Sequence, residues 1–314
     1  MPRTPARIAI AASAAATAAA LLAGSAPAAT PPAALGRPAA GPLKILISND
    51  DGYKHPYIRQ LQAALKKAGH DAVIVAPADD QSGKGTGLAF SGSLKAAEEE
   101  PGIWSVTGSP GDAVTFGVRQ VFKGAGPDLV VSGINAGPNA GPTANHSGTV
   151  GATVAANDLD IPAIAVSADF DLKNPQNPFP TVPQAADFTA RTVDRLAKTK
   201  GRDLLPSRTA LNINYPAKPA SAVAFTNVGR AAMITVTYVP DPASCPTCYK
   251  ITPGLDPNAP EPVGNADTAA LRAGKVSVSL LAGDWGARGW ASGQGGPSER
   301  EVRMTKARLQ GLQP

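Results

Sequence analysis

From residue 43 onward the chain alternates between two apolar patterns. Leu43-Lys44-Ile45-Leu46-Ile47-Ser48 is a short apolar run ending in polar residues, and Ala72 to Ala76, Leu129 to Val131 and Ile161 to Val166 repeat the type. Runs of this length predict buried strands. Between them apolar residues recur at helical spacing. Ile58, Leu61, Ala64, Leu65 and Ala68 form one such stripe, stopped by Gly69; Thr149 to Asn157 and Gln184 to Lys198 read as further helices, followed by Leu211-Asn212-Ile213-Asn214. Strands alternating with helices predict an α/β fold, a mostly parallel sheet flanked by helices on both faces. In such sheets ligands bind beyond the carboxyl ends of the strands, near the switch in strand order. The polar stretches after Leu43–Ser48, Ala72–Ala76 and Leu129–Val131 should therefore converge on one edge.

After Tyr215 the pattern changes. Val223 to Val239 holds β-type runs, Pro240 to Pro262 is rich in proline, and Val276 to Leu280 is one more strand candidate. Residues 221–314 read as a C-terminal β-containing extension and tail on an α/β core of residues 43–220. The final stretch, Glu299 to Gln310, has the spacing of a short amphipathic helix with Val302, Thr305 and Leu309 on one side.

The beginning of the chain reads differently again. Arg3 and Arg7, an Ala-rich apolar stretch from Ile8 to Ala23 and the small-residue sequence Ala26-Pro27-Ala28 have the order of a secretory signal peptide over residues 1–28. The stretch falls short of the roughly 20 apolar residues of a bilayer span, so cleavage and export are expected rather than a stable membrane anchor. Residues 29–42, rich in Ala, Pro and Gly, suggest a disordered lead-in.

The formal charge of +5 is mild and spread along the chain. No block of Lys and Arg with interleaved aromatics marks a groove for duplex nucleic acid, whereas small anionic substrates are compatible with this balance. Cys245 and Cys248 are the only cysteines. A single C-x-x-C lacks the other ligands of a structural zinc site, and the flanking Pro242 and Pro246 favour a loop over a redox helix. In an exported protein a small disulfide stapling that loop is expected.

Candidate chemistry follows the strands. Asn49-Asp50-Asp51-Gly52 stands at the end of the first. Two adjacent carboxylates repel unless a cation or hydrogen-bond donors occupy the gap, and oxygen ligands suit a hard cation such as magnesium, manganese or calcium. Alone, the tetrapeptide is also ordinary turn composition. Gln81-Ser82-Gly83-Lys84-Gly85 follows Ala72–Ala76; Ser82 offers a hydroxyl, Gly83 allows close backbone approach, and Lys84 either meets a phosphate or is a solvated loop lysine. Past Leu129–Val131, Asn135 supplies a neutral oxygen. Ser147-Gly148-Thr149 falls where a helix begins, and free N–H groups there favour a phosphate, although an N-cap without ligand has the same composition. His146 would protonate a leaving group, stack on a base, or simply fill space; His55 reads as a surface residue and His70 as a helix end.

Taken in order, NDDG, APADDQSGKG, VTGSPGDAVTFGV, PDLVVSGINAGPN, HSGTVGA and IPAIAVS resemble the SurE family of 5′/3′-nucleotidases and acid phosphatases. The resemblance implies a Rossmann-like core, metal ligands at Asp50, Asp51, Ser82 and Asn135, and phosphate contacts at Ser147, Gly148 and Thr149. Asn49, Gly83, Asn139 and His146 lie in the same segments and are expected beside the substrate. It further implies one divalent cation per subunit, magnesium or manganese, and a homodimer or homotetramer built by exchange of C-terminal hairpins or tails. Departures include His55-Pro56-Tyr57 for the family's usual Ala-Pro-Gly, His146 for Tyr, and Ala113 for Cys.

The reading that follows is a secreted, metal-dependent phosphomonoesterase acting on nucleoside 5′ or 3′ monophosphates. Asp50 and Asp51 are its catalytic residues, with water attacking phosphorus in line and a phosphoaspartyl intermediate ranked second. The alternatives are a broad acid phosphatase or exopolyphosphatase for phosphate scavenging, and a non-catalytic nucleotide-binding protein on the same fold.

Overall fold

In the computed structural model, residues 41–198, 203–283 and 299–314 are described. The expected signal peptide and most of the lead-in lie outside them. Among the described residues no helix is long and apolar enough to cross a membrane.

The described residues form a nine-stranded sheet in the order β3-β4-β2-β1-β5-β6-β7-β11-β8. Its strands are β1 (Lys44–Ser48), β2 (Asp71–Pro77), β3 (Ala96–Glu100), β4 (Ile103–Val106), β5 (Leu129–Ala136), β6 (Ala163–Ala168), β7 (Thr209–Tyr215), β8 (Val223–Thr226) and β11 (Val276–Ala282). All pairings are parallel except β3 with β4 and β7 with β11. The α/β sheet expected from the alternating pattern is the one observed, and strands β8 and β11 continue it past β7.

Helices cover both faces because the strand side chains alternate. Ile45, Ile47, Ile74, Leu129 and Val131 pack in one core with α1 (Pro56–Lys67) and α4 (Val182–Ala197). Leu46, Val75 and Val130 point the other way, into a second core with α2 (Pro110–Phe116) and α3 (Gly148–Asp158). Strands buried on both sides read as continuous apolar runs, which is why β1 and β2 were visible in the sequence. His70 does more than end α1. It is buried, its Nδ1 accepts from the Leu43 amide at 3.3 Å, and its Nε2 lies 3.3 Å from Asp194 of α4.

The proline-rich stretch contains a strand the sequence pattern hid. β9 (Ile234–Pro240) and β10 (Tyr249–Leu255) form a separate antiparallel hairpin. Pro253 is tolerated in a two-stranded ribbon, where each strand keeps a free edge. Cys245 and Cys248 form a disulfide in the turn between them. Both hairpin strands are exposed, including Val236, Tyr238, Tyr249 and Ile251.

Two carboxylates organise the C-terminal part, and one of them, Asp267, ties it to the loop after β5. Asp267, fully buried at the start of α5 (Asp267–Arg272), accepts from the amides of Gly229, Gly141 and Thr268. Glu261 accepts from the amides of Arg230, Ala231 and Val263 and from the Thr268 hydroxyl. Burial works against the charged form of Glu261, but these hydrogen bonds outweigh it and hold the carboxyl at about 2. A folded pKa below the ordinary 4.5 stabilises the protein above that value, and the contribution disappears as pH falls towards 2. Glu261→Ala should therefore lower unfolding stability at pH 7 by about 1–2 kcal/mol, the worth of charge-assisted hydrogen bonds near a surface. Denaturant titrations of the two proteins should converge towards pH 2.

Candidate functional site

The chain adds β2 and β4 on one side of β1 and then crosses to β5 on the other. The switch in strand order thus lies between β1 and β5, where a crevice opens beyond the carboxyl ends. Ser48 of β1 pairs with Ser132 of β5. Asp51 and Asn135 each stand three residues further on, so both reach the same edge from neighbouring parallel strands.

Asn49 closes the turn after β1. Its amide donates to the Gly52 carbonyl at 3.0 Å and its Oδ1 accepts from the Gly52 amide at 3.2 Å. Gly52 has φ +98°, a conformation that glycine adopts without strain. This turn presents Asp50 and Asp51 side by side. Asp50 Oδ1 accepts from the Thr149 hydroxyl at 2.6 Å. Asp51 Oδ2 is buried without a hydrogen-bond partner. Burial raises the pKa of Asp50, with the Thr149 bond opposing. For Asp51 burial, then Asp50, then Asp80 push the carboxyl up to about 7. Burial leads both shifts, and the repulsion of neighbouring carboxylates adds to it.

The second loop meets the first through its backbone. The Gln81 amide donates to the Asp50 carbonyl at 2.7 Å, and Ser82 donates to Asp80 through both its amide and its hydroxyl, at 2.8 and 2.7 Å. A hydroxyl that gives its proton to Asp80 keeps its lone pairs for a cation. Asn135 is set up similarly. Its amide nitrogen donates to the Gly137 carbonyl at 2.7 Å, which leaves Oδ1 as an acceptor. Ser82, Gly83 and Lys84 are all exposed.

Helix α3 supplies the third side. Ser147 is its N-cap, accepting from the Val150 amide at 3.1 Å. The fit is close: a Cβ on Gly148 would lie 2.7 Å from the Asp50 Cβ, and one on Gly151 would run into the Gly85 carbonyl. The loop is held from behind by α2, where Ser109 donates to the Gly87 carbonyl and Asp112 accepts from the Ala89 amide.

Asn49, Asp50, Asp51, Ser82, Gly148 and Thr149 are thus brought together, with Asn135 on the adjoining strand. His146 is exposed at the end of the 3-10 turn of residues 141–146, beside Gly85. Asn139 is 4% exposed and engaged elsewhere. Its amide donates to Ser167, and its backbone bonds to the side chains of Asn212 and Asn214. Sequence reasoning missed Asp80, which orients Ser82 and adds negative charge at the site, although it stood inside the quoted APADDQSGKG segment. It also missed Asn212 and Asn214, whose strand was recognised without their role.

Two carboxylates with neutral oxygens suit a hard divalent cation. The unpartnered Asp51 oxygen is the sharpest sign that these residues fit one. Among the described residues no group of three or more His, Cys, Asp or Glu side chains is arranged to hold a metal, so Ser82 and Asn135 would have to complete any set. A cavity of about 460 Å³ between α3 and strands β8 and β11 is a different feature. Asn145, Val150 and Phe225 are in its wall; Asp50, Asp51 and Asn135 are not.

Known proteins share this arrangement of elements. The family model described as "Survival protein SurE" matches residues 45–235. A 5′-nucleotidase SurE of Methylocella silvestris is 32% identical over 243 residues, 76% of this chain and 93% of its own length. A 5′/3′-nucleotidase SurE of Edwardsiella ictaluri is 34% identical over 252 residues, 79% of this chain and 92% of its own. The crystal structure of a SurE protein from Aquifex aeolicus superposes with a TM-score of 0.65 at 31% identity, covering 77% of this chain and 94% of that one.

Proposed function

Because the chain belongs to the SurE family, we propose that it is a divalent-metal-dependent phosphomonoesterase that releases phosphate from nucleoside 5′ or 3′ monophosphates. Its relatives are named 5′- and 5′/3′-nucleotidases. The observation that carries the reading is the pair Asp50 and Asp51, tied on one side to the first turn of α3 and left on the other with a buried carboxylate oxygen lacking a partner.

Asp50, Asp51, Ser82 and Asn135 would hold the cation, magnesium or manganese. When bound, it supplies a Lewis acid for a phosphoryl oxygen and a more acidic water. The protein's own part is orientation. Thr149 fixes the Asp50 carboxylate, Asp80 fixes Ser82, and the Gly137 carbonyl fixes the Asn135 amide. The backbone N–H groups that open α3 favour phosphate charge near Ser147, Gly148 and Thr149.

Export is part of the proposal. It is supported by the signal-like residues 1–28 and by the Cys245–Cys248 disulfide, a bond that persists in oxidising compartments. A homodimer or homotetramer is supported by the apolar side chains exposed along β9 and β10.

The test is an activity screen of the purified protein against phosphomonoesters and tripolyphosphate, after chelation and after adding back each metal. Chelation should abolish hydrolysis, and manganese or magnesium should restore it with nucleotides preferred. A hundredfold excess of metal over its Kd should also stabilise the fold by about 2.7 kcal/mol. If neither ion supports hydrolysis of any phosphomonoester, the chain is a binding protein and the proposal fails.

A further inference from the structure

Three aromatic side chains stand on the Asp51 side of the site. His55, Tyr57 and Phe179 are each half-buried. The His55 and Tyr57 rings are 4.6 Å apart edge to face, and those of Tyr57 and Phe179 are 6.1 Å apart at a similar angle. They come from two different connections. His55 is the N-cap of α1, with its Nδ1 accepting from the Tyr57 amide at 3.4 Å. Phe179 lies in the long connection from β6 to α4, braced by the bond from the Asp171 amide to the Pro178 carbonyl. Strands β1 and β6 flank β5, the strand that carries Asn135, and the connections that follow them meet at these rings.

Tyr57 and Phe179 also rest on the main hydrophobic core, which makes them a firm surface. Edge contacts leave most of the ring faces uncovered by one another. The group is tied to the carboxylate turn by geometry: the His55 amide donates to the Gly52 carbonyl at 3.1 Å, so α1 starts directly from the turn that presents Asp50 and Asp51. An aromatic ring face on a firm apolar backing beside the carboxylate pair suits a substrate that is anionic at one end and aromatic at the other.

We propose that Tyr57, backed by Phe179 and His55, is the specificity-determining residue of this site, packing against the aromatic base of a nucleotide whose phosphate lies at Asp50 and Asp51. The inference rests on the phosphomonoesterase reading above and adds the surface that selects the leaving group.

The experiment compares the full-length wild type with Tyr57→Ala and Tyr57→Phe on AMP and on ribose 5-phosphate, and measures adenosine binding by calorimetry. Stacking one base on an aromatic side chain is worth roughly tenfold or more. Tyr57→Ala should lose that factor in kcat/KM on AMP, through KM, and the same factor in adenosine affinity. Ribose 5-phosphate turnover should be unchanged, and Tyr57→Phe should behave as wild type on both substrates. Equal losses on the two substrates, or an unaltered KM for AMP, would overturn the assignment. If the wild type hydrolysed neither compound, the phosphomonoesterase reading alone would fail. Adenosine binding would still decide the wall: loss in Tyr57→Ala supports it, and equal or absent binding in wild type and variant refutes it.

Discussion

Asp51→Asn should abolish metal-dependent hydrolysis and at the same time stabilise the metal-free protein. The loss of activity is expected to reach about a thousandfold, equivalent to about 4 kcal/mol of transition-state stabilisation. An amide cannot supply the negative charge that holds a divalent ion against water. The gain in stability has a separate cause. Asp51 Oδ2 is buried without a partner, and burial, Asp50 and Asp80 together push its carboxyl up to about 7 from an ordinary 3.8. A carboxyl whose folded pKa is raised stabilises the protein only while protonated. Its contribution is complete below the unfolded value and is lost as pH rises through the folded one. Metal-free wild type should therefore weaken between about pH 4 and pH 7, relative to the variant, and stay weaker above. Thermal unfolding across that range, with and without manganese, measures both effects. A variant as active as the wild type would remove Asp51 from the site. One less stable than wild type at pH 8 without metal would show that its charge is already compensated.

The parts of this fold that were legible in the sequence are those whose signal is local. β1 and β2 are buried on both sides, so Ile45-Leu46-Ile47 and Ala72 to Ala76 read as strands from composition alone. Asn49 to Gly52 and Ser147 to Thr149 were legible because each completes its geometry within a few residues. β3 was not: its sequence Ala-Ala-Glu-Glu-Glu belongs to an edge strand with exposed side chains and resembles a helix or loop. β5 runs five residues beyond the expected Val131, because Ser132, Gly133 and Ile134 are buried and Asn135 and Ala136 resume pairing with β6 after an irregularity. Helix α2 was hidden by Pro110 and Gly111, although Ser109 and Asp112 form a capping box there.

The missed site residues share a different feature. Asp80 acts on Asp50 and Asp51 across a loop, and Asn212 and Asn214 hold a backbone more than seventy residues away. None of these relations has a spacing that a pattern could reveal. They exist only once the switch in strand order has drawn the loops to one edge.

Gly148→Ala offers the most direct test of that assembly, because the usual effect of the substitution has the opposite sign. In a helix interior, alanine is favoured over glycine by about 0.5–1 kcal/mol. Gly148 is the first residue of α3 and does not adopt a left-handed conformation, so backbone strain gives no reason to expect harm. The harm is steric. The new methyl would lie 2.7 Å from the Asp50 Cβ and 2.9 Å from its Oδ2, inside any real contact distance and against a side chain held by Thr149. Either the helix start or Asp50 has to move, and the Thr149–Asp50 bond breaks with it. A displacement of about 1 Å in a reaction centre costs on the order of a hundredfold in rate. Gly148→Ala should lose activity on that scale and be less stable than wild type. Thr149→Val removes the hydroxyl without adding bulk and should reproduce part of the kinetic loss, which Thr149→Ser should restore. Rates and melting temperatures for the three variants separate the clash from the lost hydrogen bond. A Gly148→Ala protein that is fully active and melts higher than wild type would mean that the first turn of α3 does not press on Asp50, and the phosphate end of the site would have to be sought elsewhere.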